Sequence, residues 1–183
     1  MSPGKRAVAI TAEGKRRRAD VIVAAQFKHY HAFPSRSVAD ARWTEGICFF
    51  TSGWDKIVNY PKQHSANCTT KHQDTSSWFK PSVRILKNMR RCLIDKGQID
   101  KGIAPSYFLE GLLYNLPRQY FGTSYHKTIG DTLSWLNQMT SDEMSKLVCA
   151  NEMFYLVRDY NVTWAPADYA KCVSAATELW RDW

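Results

Sequence analysis

The stretch SSWFKPSVRILKNMRRCLID, residues 76–95, holds Lys80, Arg84, Lys87, Arg90 and Arg91 and, between Ser76 and Ile94, no acid. Its apolar residues follow a helical period. Val83, Leu86, Met89 or Arg90, and Leu93 trace one face, and Pro81 sits in the first turn, where a missing N–H is tolerated. Surface helices ordinarily mix signs, because Glu and Lys one turn apart stabilise each other. This segment sets a single sign of charge beside an apolar stripe. It marks the point at which the chain turns helical, and it poses a chemical question: what faces so much unneutralised positive charge?

Upstream of this segment the pattern is that of strands. AVAI (7–10) and ADVIVAA (19–25) flank the basic TAEGKRRR, and Gly14 permits a tight turn, so a hairpin is expected. GICFF (46–50) and KIVNY (56–60) flank TSGWD and read as a second hairpin. The polar stretch from Pro61 to Ser77 is expected to be a loop. Downstream, SYFLEGLLYNL opens a helix at Pro105 that stops before Pro117, and TIGDTLSWLNQM (128–139) predicts another. Thr140 and Glu143 are spaced as a capping box for the next. APADYAKCVSAATELW (165–180) predicts the last, with Pro166 near its start. Strands followed by helices define an α+β fold. The expected organisation is a partial, palm-like mixed sheet built on two N-terminal hairpins in residues 1–75 and a helical bundle in residues 76–183.

The 183 residues are enough for a sizeable core, and 44% hydrophobic with 13% aromatic content argues against disorder. No apolar run approaches the roughly 18 residues of a membrane span. MSPGKRAVAI lacks the apolar core of a signal peptide, so a cytoplasmic protein is expected. A net charge of +8 suits a polyanionic partner, or serves only to keep the chain soluble. The five cysteines, Cys48, Cys68, Cys92, Cys149 and Cys172, are odd in number, widely spaced and without a C-x-x-C pair, as reduced thiols are. His64, Cys68 and His72 are evenly spaced, a pattern too sparse to define a zinc site. The N-x-T sequons at Asn67 and Asn161 carry little meaning without a secretion signal.

Several residues have the chemistry of a site. Asp20 interrupts an apolar strand, where a carboxylate needs a cationic partner. Arg16 to Arg18 supply one, or Asp20 faces a cleft and holds a divalent cation. Arg84 and Lys87 share a helix face with Arg91, so a phosphate chain along it meets successive cations; a solvated or acid-facing basic surface is the alternative. Tyr107 suits stacking on a base, or belongs to the core, and Ser106 suits a phosphate or ribose. Glu110, among leucines, calls for a partner such as Arg84 or Lys87.

Taken together, RRADVIVAAQFKHY, EGICFFTSGWDKIVNYPKQH, FKPSVRILKNMRR, IAPSYFLEGLLYNLP and TWAPADYAKCVSAATELWRDW resemble, in order, the carboxy-terminal part of bacterial nucleotidyltransferases related to oligoadenylate synthetase and cyclic GMP–AMP synthase, in the DNA polymerase β superfamily. The resemblance implies that Asp20 is the third metal-binding carboxylate, acting with Mg²⁺ (or Mn²⁺). It implies that Arg84 and Lys87 contact the donor triphosphate, and that Ser106 and Tyr107 hold the donor, the tyrosine stacking on its base. NTPs such as ATP or GTP become the substrates, and cyclic or short linear oligonucleotides, as in antiphage signalling, the products. The family's G-S motif and following D-x-D pair do not occur in these residues. One aspartate cannot hold two ions, so the chain is expected to be inactive alone and to need a complementary N-terminal chain. The alternative is a catalytically dead module that binds nucleotide or RNA. An unpaired sheet edge and seven tryptophans also suit a homo-oligomer or interaction domain.

Overall fold

A computed structural model describes residues 2–3, 7–10, 14, 17, 19–32, 41–158 and 163–182. The chain divides into two compact units, Met1–Lys62 and Gln63–Trp183. The fold is α+β: two small sheets, then helices.

In the first unit, β1 (Ser2–Pro3), β2 (Val8–Ile10) and β3 (Ala19–Val21) form one antiparallel sheet in that order. The expected first hairpin is present, with Ala9 opposite Asp20, and Gly14 takes the positive φ, 59°, that its turn reading calls for. The strand expected over 19–25 ends earlier, at Val21, and a further strand that hydrophobic patterning did not find begins at Ala25. This β4 (Ala25–Ala32) is exposed along nearly its whole length, so it carries no alternation of apolar and polar residues. It pairs antiparallel with β5 (Arg42–Phe50), which pairs with β6 (Lys56–Asn59) as the second expected hairpin. The turn between them is held by Thr51, whose Oγ1 accepts from the amides of Gly53 and Asp55. Gly46 of β5 has a specific reason to be glycine: a Cβ there would lie 2.8 Å from both the Asn59 carbonyl and the Tyr60 ring. Only Ala41, Phe49, Ile57 and Tyr60 are apolar and buried among the described residues of this unit, while Val8, Ile10, Val21, Ile22, Val23, Trp43, Phe50 and Trp54 remain exposed.

The second unit is helical and contains the hydrophobic core. Helix α1 (Pro61–Asp74) occupies the stretch expected to be a loop. Gln63, His64, Asn67, Cys68, Lys71 and His72 are its sheltered positions, a helical period made almost wholly of polar residues. Hydrophobic patterning could not register it. Several of its polar groups instead find partners: Asn67 donates to the Ala150 carbonyl at 2.9 Å and Lys71 to the Leu116 carbonyl at 2.8 Å.

Helix α2 (Phe79–Asp95) buries Phe79, Val83, Leu86, Met89 and Leu93, so Met89 rather than Arg90 lies on the apolar face. It ends in a Schellman arrangement: Gly97 has φ 69°, its N–H bonds to the Ile94 carbonyl, and that of Gln98 bonds to Leu93. Arg90 turns back to donate to the carbonyls of Ile103 (2.8 Å) and Lys101, fixing the approach to α3 (Ser106–Asn115). Helix α4 (Tyr125–Gln138) begins one turn earlier than its apolar period implies, because Ser124 caps the Lys127 amide. The expected capping box at α5 (Ser141–Ser145) is present. Helix α6 (Pro166–Arg181) closes the core against α2 and α4. Among the described residues no helix is long and apolar enough to cross a membrane. Of the tryptophans, Trp164 is fully buried in this core, and Trp183 lies outside the described residues.

Candidate functional site

Helices α1, α2 and α3 enclose a cleft of about 290 Å³. Its lining includes His64, Cys68 and Thr69 from α1, Lys80, Arg84 and Lys87 from α2, and Glu110 from α3. The three cations follow from α2's period: positions 80, 84 and 87 stand beside the stripe that buries Phe79, Val83 and Leu86. Arg91, four residues on, is exposed and does not line the cleft.

The cations are not equivalent. Lys87 donates to Glu110 Oε1 at 2.6 Å, and the other carboxylate oxygen lies 2.7 Å from His64 Nε2. Glu110 is therefore paired, as its place among leucines demands, and its partner is Lys87 rather than Arg84. Arg84 is exposed and has no carboxylate within ion-pair distance among the described residues. The Glu110 carboxyl is held below its usual range by the hydrogen bond from His64 first, with burial opposing and Lys87 assisting. His64 is pushed up to about 9, first by the Cys68 sulfur at 3.6 Å and then by Glu110. At neutral pH this wall of the cleft carries an imidazolium, a carboxylate and an ammonium in sequence.

Tyr107, in the first turn of α3, stacks on the His64 ring at 4.9 Å between centroids and 19° between planes, and meets Phe108 edge-on. Its hydroxyl accepts from Asn151 Nδ2 at 3.0 Å, and burial raises the phenol's pKa far above its ordinary value. Tyr107 is thus anchored at its polar end and covered by His64 on one ring face. Ser106 is exposed at the start of α3, whose N-cap, Pro105, makes no side-chain capping bond. The free amides of a helix N-terminus suit an anion.

Asp20 belongs to the first unit. It is exposed on β3, so it does not bear the cost of burial that its apolar neighbours imply. Of the arginines expected to pair with it, Arg16 and Arg18 lie outside the described residues, as does the sequon at Asn161. Among the described residues, the one group of three or more potential metal ligands is His64, Cys68 and Glu110, and Asp20 is not in it. These residues therefore do not by themselves fit a pair of Mg²⁺ ions. His72, the third member of the spacing noted in the sequence, instead accepts the Lys80 amide at 3.4 Å.

The sequence showed His64 only within a His64, Cys68 and His72 spacing too sparse to define a site in an expected loop, and it gave no sign of Asn151, because nothing in its neighbourhood is periodic. The four-residue spacing of His64 and Cys68 gains meaning once the stretch is helical, because it then places both on one face.

Comparison with known proteins bears on this arrangement. Residues 66–181 match the family described as cGAS/DncV-like nucleotidyltransferase C-terminal helical domain. The chain is 34% identical over 166 residues to a cyclic UMP-AMP synthase of Rhodothermus marinus, an alignment covering 90% of the chain and 55% of that protein. It is 34% identical over 167 residues to the cyclic nucleotide synthase CdnE01 of Staphylococcus haemolyticus, again 90% of this chain and 55% of the relative. The Rhodothermus marinus CdnE c-UMP-AMP synthase, solved with Apcpp and Upnpp, superposes with a TM-score of 0.87 at 33% identity, covering 100% of this chain and 60% of that one. The chain thus spans little more than half the length of the relatives it matches.

Proposed function

The chain belongs to the cGAS/DncV-like nucleotidyltransferase family through its C-terminal helical domain, and from that premise we propose that it is part of a nucleotidyltransferase making cyclic or short linear oligonucleotide second messengers from NTPs, in cytoplasmic antiphage signalling. The observation that carries this reading is the acid-free face of α2, which sets Lys80, Arg84 and Lys87 along one cleft. The relatives named above are cyclic nucleotide synthases, and one was solved with two nucleotide analogues.

In this reading Arg84 binds phosphate oxygens bidentately and Lys87 acts as a point charge. Lys87 is the adjustable member, because an incoming polyphosphate competes with Glu110 for its ammonium. Ser106 and the free amides of α3 hold the donor, and Tyr107 is the ring that stacks on its base. Asp20 is the carboxylate that this chain brings to Mg²⁺ or Mn²⁺. Such ions supply charge neutralisation and alignment of the reacting oxygens. Because Asp20 is a single carboxylate, the polypeptide alone is expected to be inactive, and reaction needs a complementary segment carrying the others.

The test is reconstitution. The purified chain is mixed with the amino-terminal part of the Rhodothermus marinus synthase, NTPs and Mg²⁺, and products are resolved by mass spectrometry. Oligonucleotide products that require both parts, and that Asp20→Ala abolishes, support the reading. Products formed by the chain alone overturn the expected inactivity. NTP-analogue or RNA affinity that falls with salt and is indifferent to Asp20→Ala, with no product from the mixture, supports instead a non-catalytic nucleotide- or RNA-binding module. That second reading is favoured by one observation, that the cleft is formed within Gln63–Trp183 without Asp20.

A further inference from the structure

Three potential metal ligands meet on one wall of the cleft, and nucleotide binding does not explain their combination. His64 and Cys68 stand one turn apart on α1, and Glu110 reaches them from α3. A ligand atom from each, Nε2, Sγ and a carboxylate oxygen, lies within 4.8 Å of the other two. We propose that His64, Cys68 and Glu110 form a binding site for a single divalent metal ion of the zinc class.

The distances favour this directly. Bonds of about 2.3 Å to sulfur and about 2.0–2.1 Å to nitrogen, at a tetrahedral angle, separate the two ligand atoms by about 3.6 Å. Cys68 Sγ and His64 Nε2 are 3.6 Å apart. The histidine–carboxylate edge of the same tetrahedron is about 3.3 Å, against 2.7 Å between His64 Nε2 and Glu110 Oε2. That edge must open by about 0.6 Å, a small change for a flexible glutamate side chain.

The donor set selects the ion. A thiolate, an imidazole and a carboxylate suit zinc or cobalt, whereas Mg²⁺ and Ca²⁺ take oxygen ligands. The site therefore differs in kind from one built on Asp20. Three protein ligands leave a fourth position, which faces the cleft and is open to water or a small anion.

The surroundings are half supportive. Lys87 donates to Glu110 Oε1 and leaves Oε2 to the ion, so it orients the ligating carboxylate from outside. His64 Nδ1 is buried and has no hydrogen-bond partner among the described residues. A ligating histidine ordinarily donates from its second nitrogen, and loss of such a partner lowers metal affinity about 10–100-fold. The site is accordingly one of exchangeable affinity rather than a permanent structural zinc.

The experiment uses the full chain stripped with a chelator, without nucleotide, so its result is independent of the nucleotide reading. Zn²⁺ is titrated calorimetrically, and Co²⁺ serves as the spectroscopic probe. One equivalent is expected, with a thiolate-to-cobalt charge-transfer band and a four-coordinate visible spectrum. Cys68→Ser should remove that band, and Cys68→Ser, His64→Ala and Glu110→Gln should each weaken Zn²⁺ binding at least tenfold. Excess Mg²⁺ should not compete. The exposed histidine pair His29 and His31 on β4, whose rings lie 5.0 Å apart, provides the control: His29→Ala/His31→Ala should leave binding unchanged. If His64→Ala does not fold, Cys68→Ser, a near-isosteric change, carries the result with circular dichroism confirming its fold. No binding to the wild type, a cobalt spectrum without the thiolate band, or Zn²⁺ affinity unaltered in Cys68→Ser would overturn the proposal.

Discussion

Glu110→Gln is predicted to weaken the helical unit while tightening its grip on a polyphosphate. The carboxylate accepts from His64 at 2.7 Å and from Lys87 at 2.6 Å. Glutamine keeps the shape and one acceptor but brings an amide N–H against the second cation. A hydrogen bond to a charged group contributes about 1.5–3 kcal/mol. Lys87 is 34% exposed, so solvent screening brings its share below about 1 kcal/mol. His64, only 15% exposed, accounts for most of a total loss of about 2 kcal/mol, or a fall in Tm of roughly 5–10 °C. In the cleft at neutral pH, His64, Lys80, Arg84 and Lys87 against Glu110 sum to a formal +3, which the substitution raises to +4. At roughly 8 Å, with an effective dielectric between about 20 and 80, one added charge contributes about 0.5–2 kcal/mol toward a phosphate charge. About fivefold tighter binding of a non-hydrolysable NTP analogue follows, and the gain should shrink as salt is raised. Isothermal titration at two ionic strengths, with thermal melts on the same preparation, reads both effects. If the melt falls but affinity is unchanged or weaker, Glu110 serves only the fold, and the reading of Lys87 as an adjustable phosphate ligand fails.

Two further outcomes are expected. His64 is held up to about 9 against an ordinary value of 6.5, so its contribution is complete below pH 6.5 and is lost as pH rises through 9; by linkage about 3 kcal/mol disappears across that window, and a Tm that stays flat from pH 6.5 to 9 in the presence of chelator contradicts it. Gly111→Ala places a Cβ 2.6 Å from Leu156 Cδ1 in the core, and overpacking of about 1–3 kcal/mol outweighs a helix-propensity gain of about 1 kcal/mol; a urea midpoint above that of wild type refutes this.

Much of the helical unit was legible because its buried faces are apolar. The period of Val83, Leu86, Met89 or Arg90, and Leu93 gave α2 its face, which the structure narrows to Met89, and Thr140 and Glu143 gave α5 its capping box. Helix α1 was not legible for the opposite reason. Its sheltered face is Gln63, His64, Asn67, Cys68, Lys71 and His72, and three of these residues pair with acceptors more than 40 residues away in sequence, Glu110, Leu116 and Ala150. A reading based on hydrophobic period sees a loop wherever burial is achieved by hydrogen bonds. Strand β4 was hidden by a different cause: it is exposed on both sides, so pairing with β5 fixes it without leaving an alternation in the sequence.

The candidate site divides along the same line. The cations of α2 stood out because unneutralised charge beside an apolar stripe is conspicuous, and Glu110 stood out because a carboxylate among leucines must have a partner. What no single segment reveals is that both belong to one chain of contacts, Lys87 to Glu110 to His64 to Cys68, drawn from three helices. Its middle members lie on a helix that patterning did not find and on a helix whose face is otherwise core. The consequence is chemical as well as architectural. Lys87 is a cation already given a partner, and Arg84 one that has none within ion-pair distance among the described residues. Substituting Arg84 should therefore change phosphate affinity with little effect on the fold, whereas any change at Lys87 removes one of the two partners of Glu110, the residue that also holds His64. A cleft built this way links its basic wall to its sulfur- and imidazole-bearing wall, because Lys87 holds one oxygen of Glu110 and His64 the other.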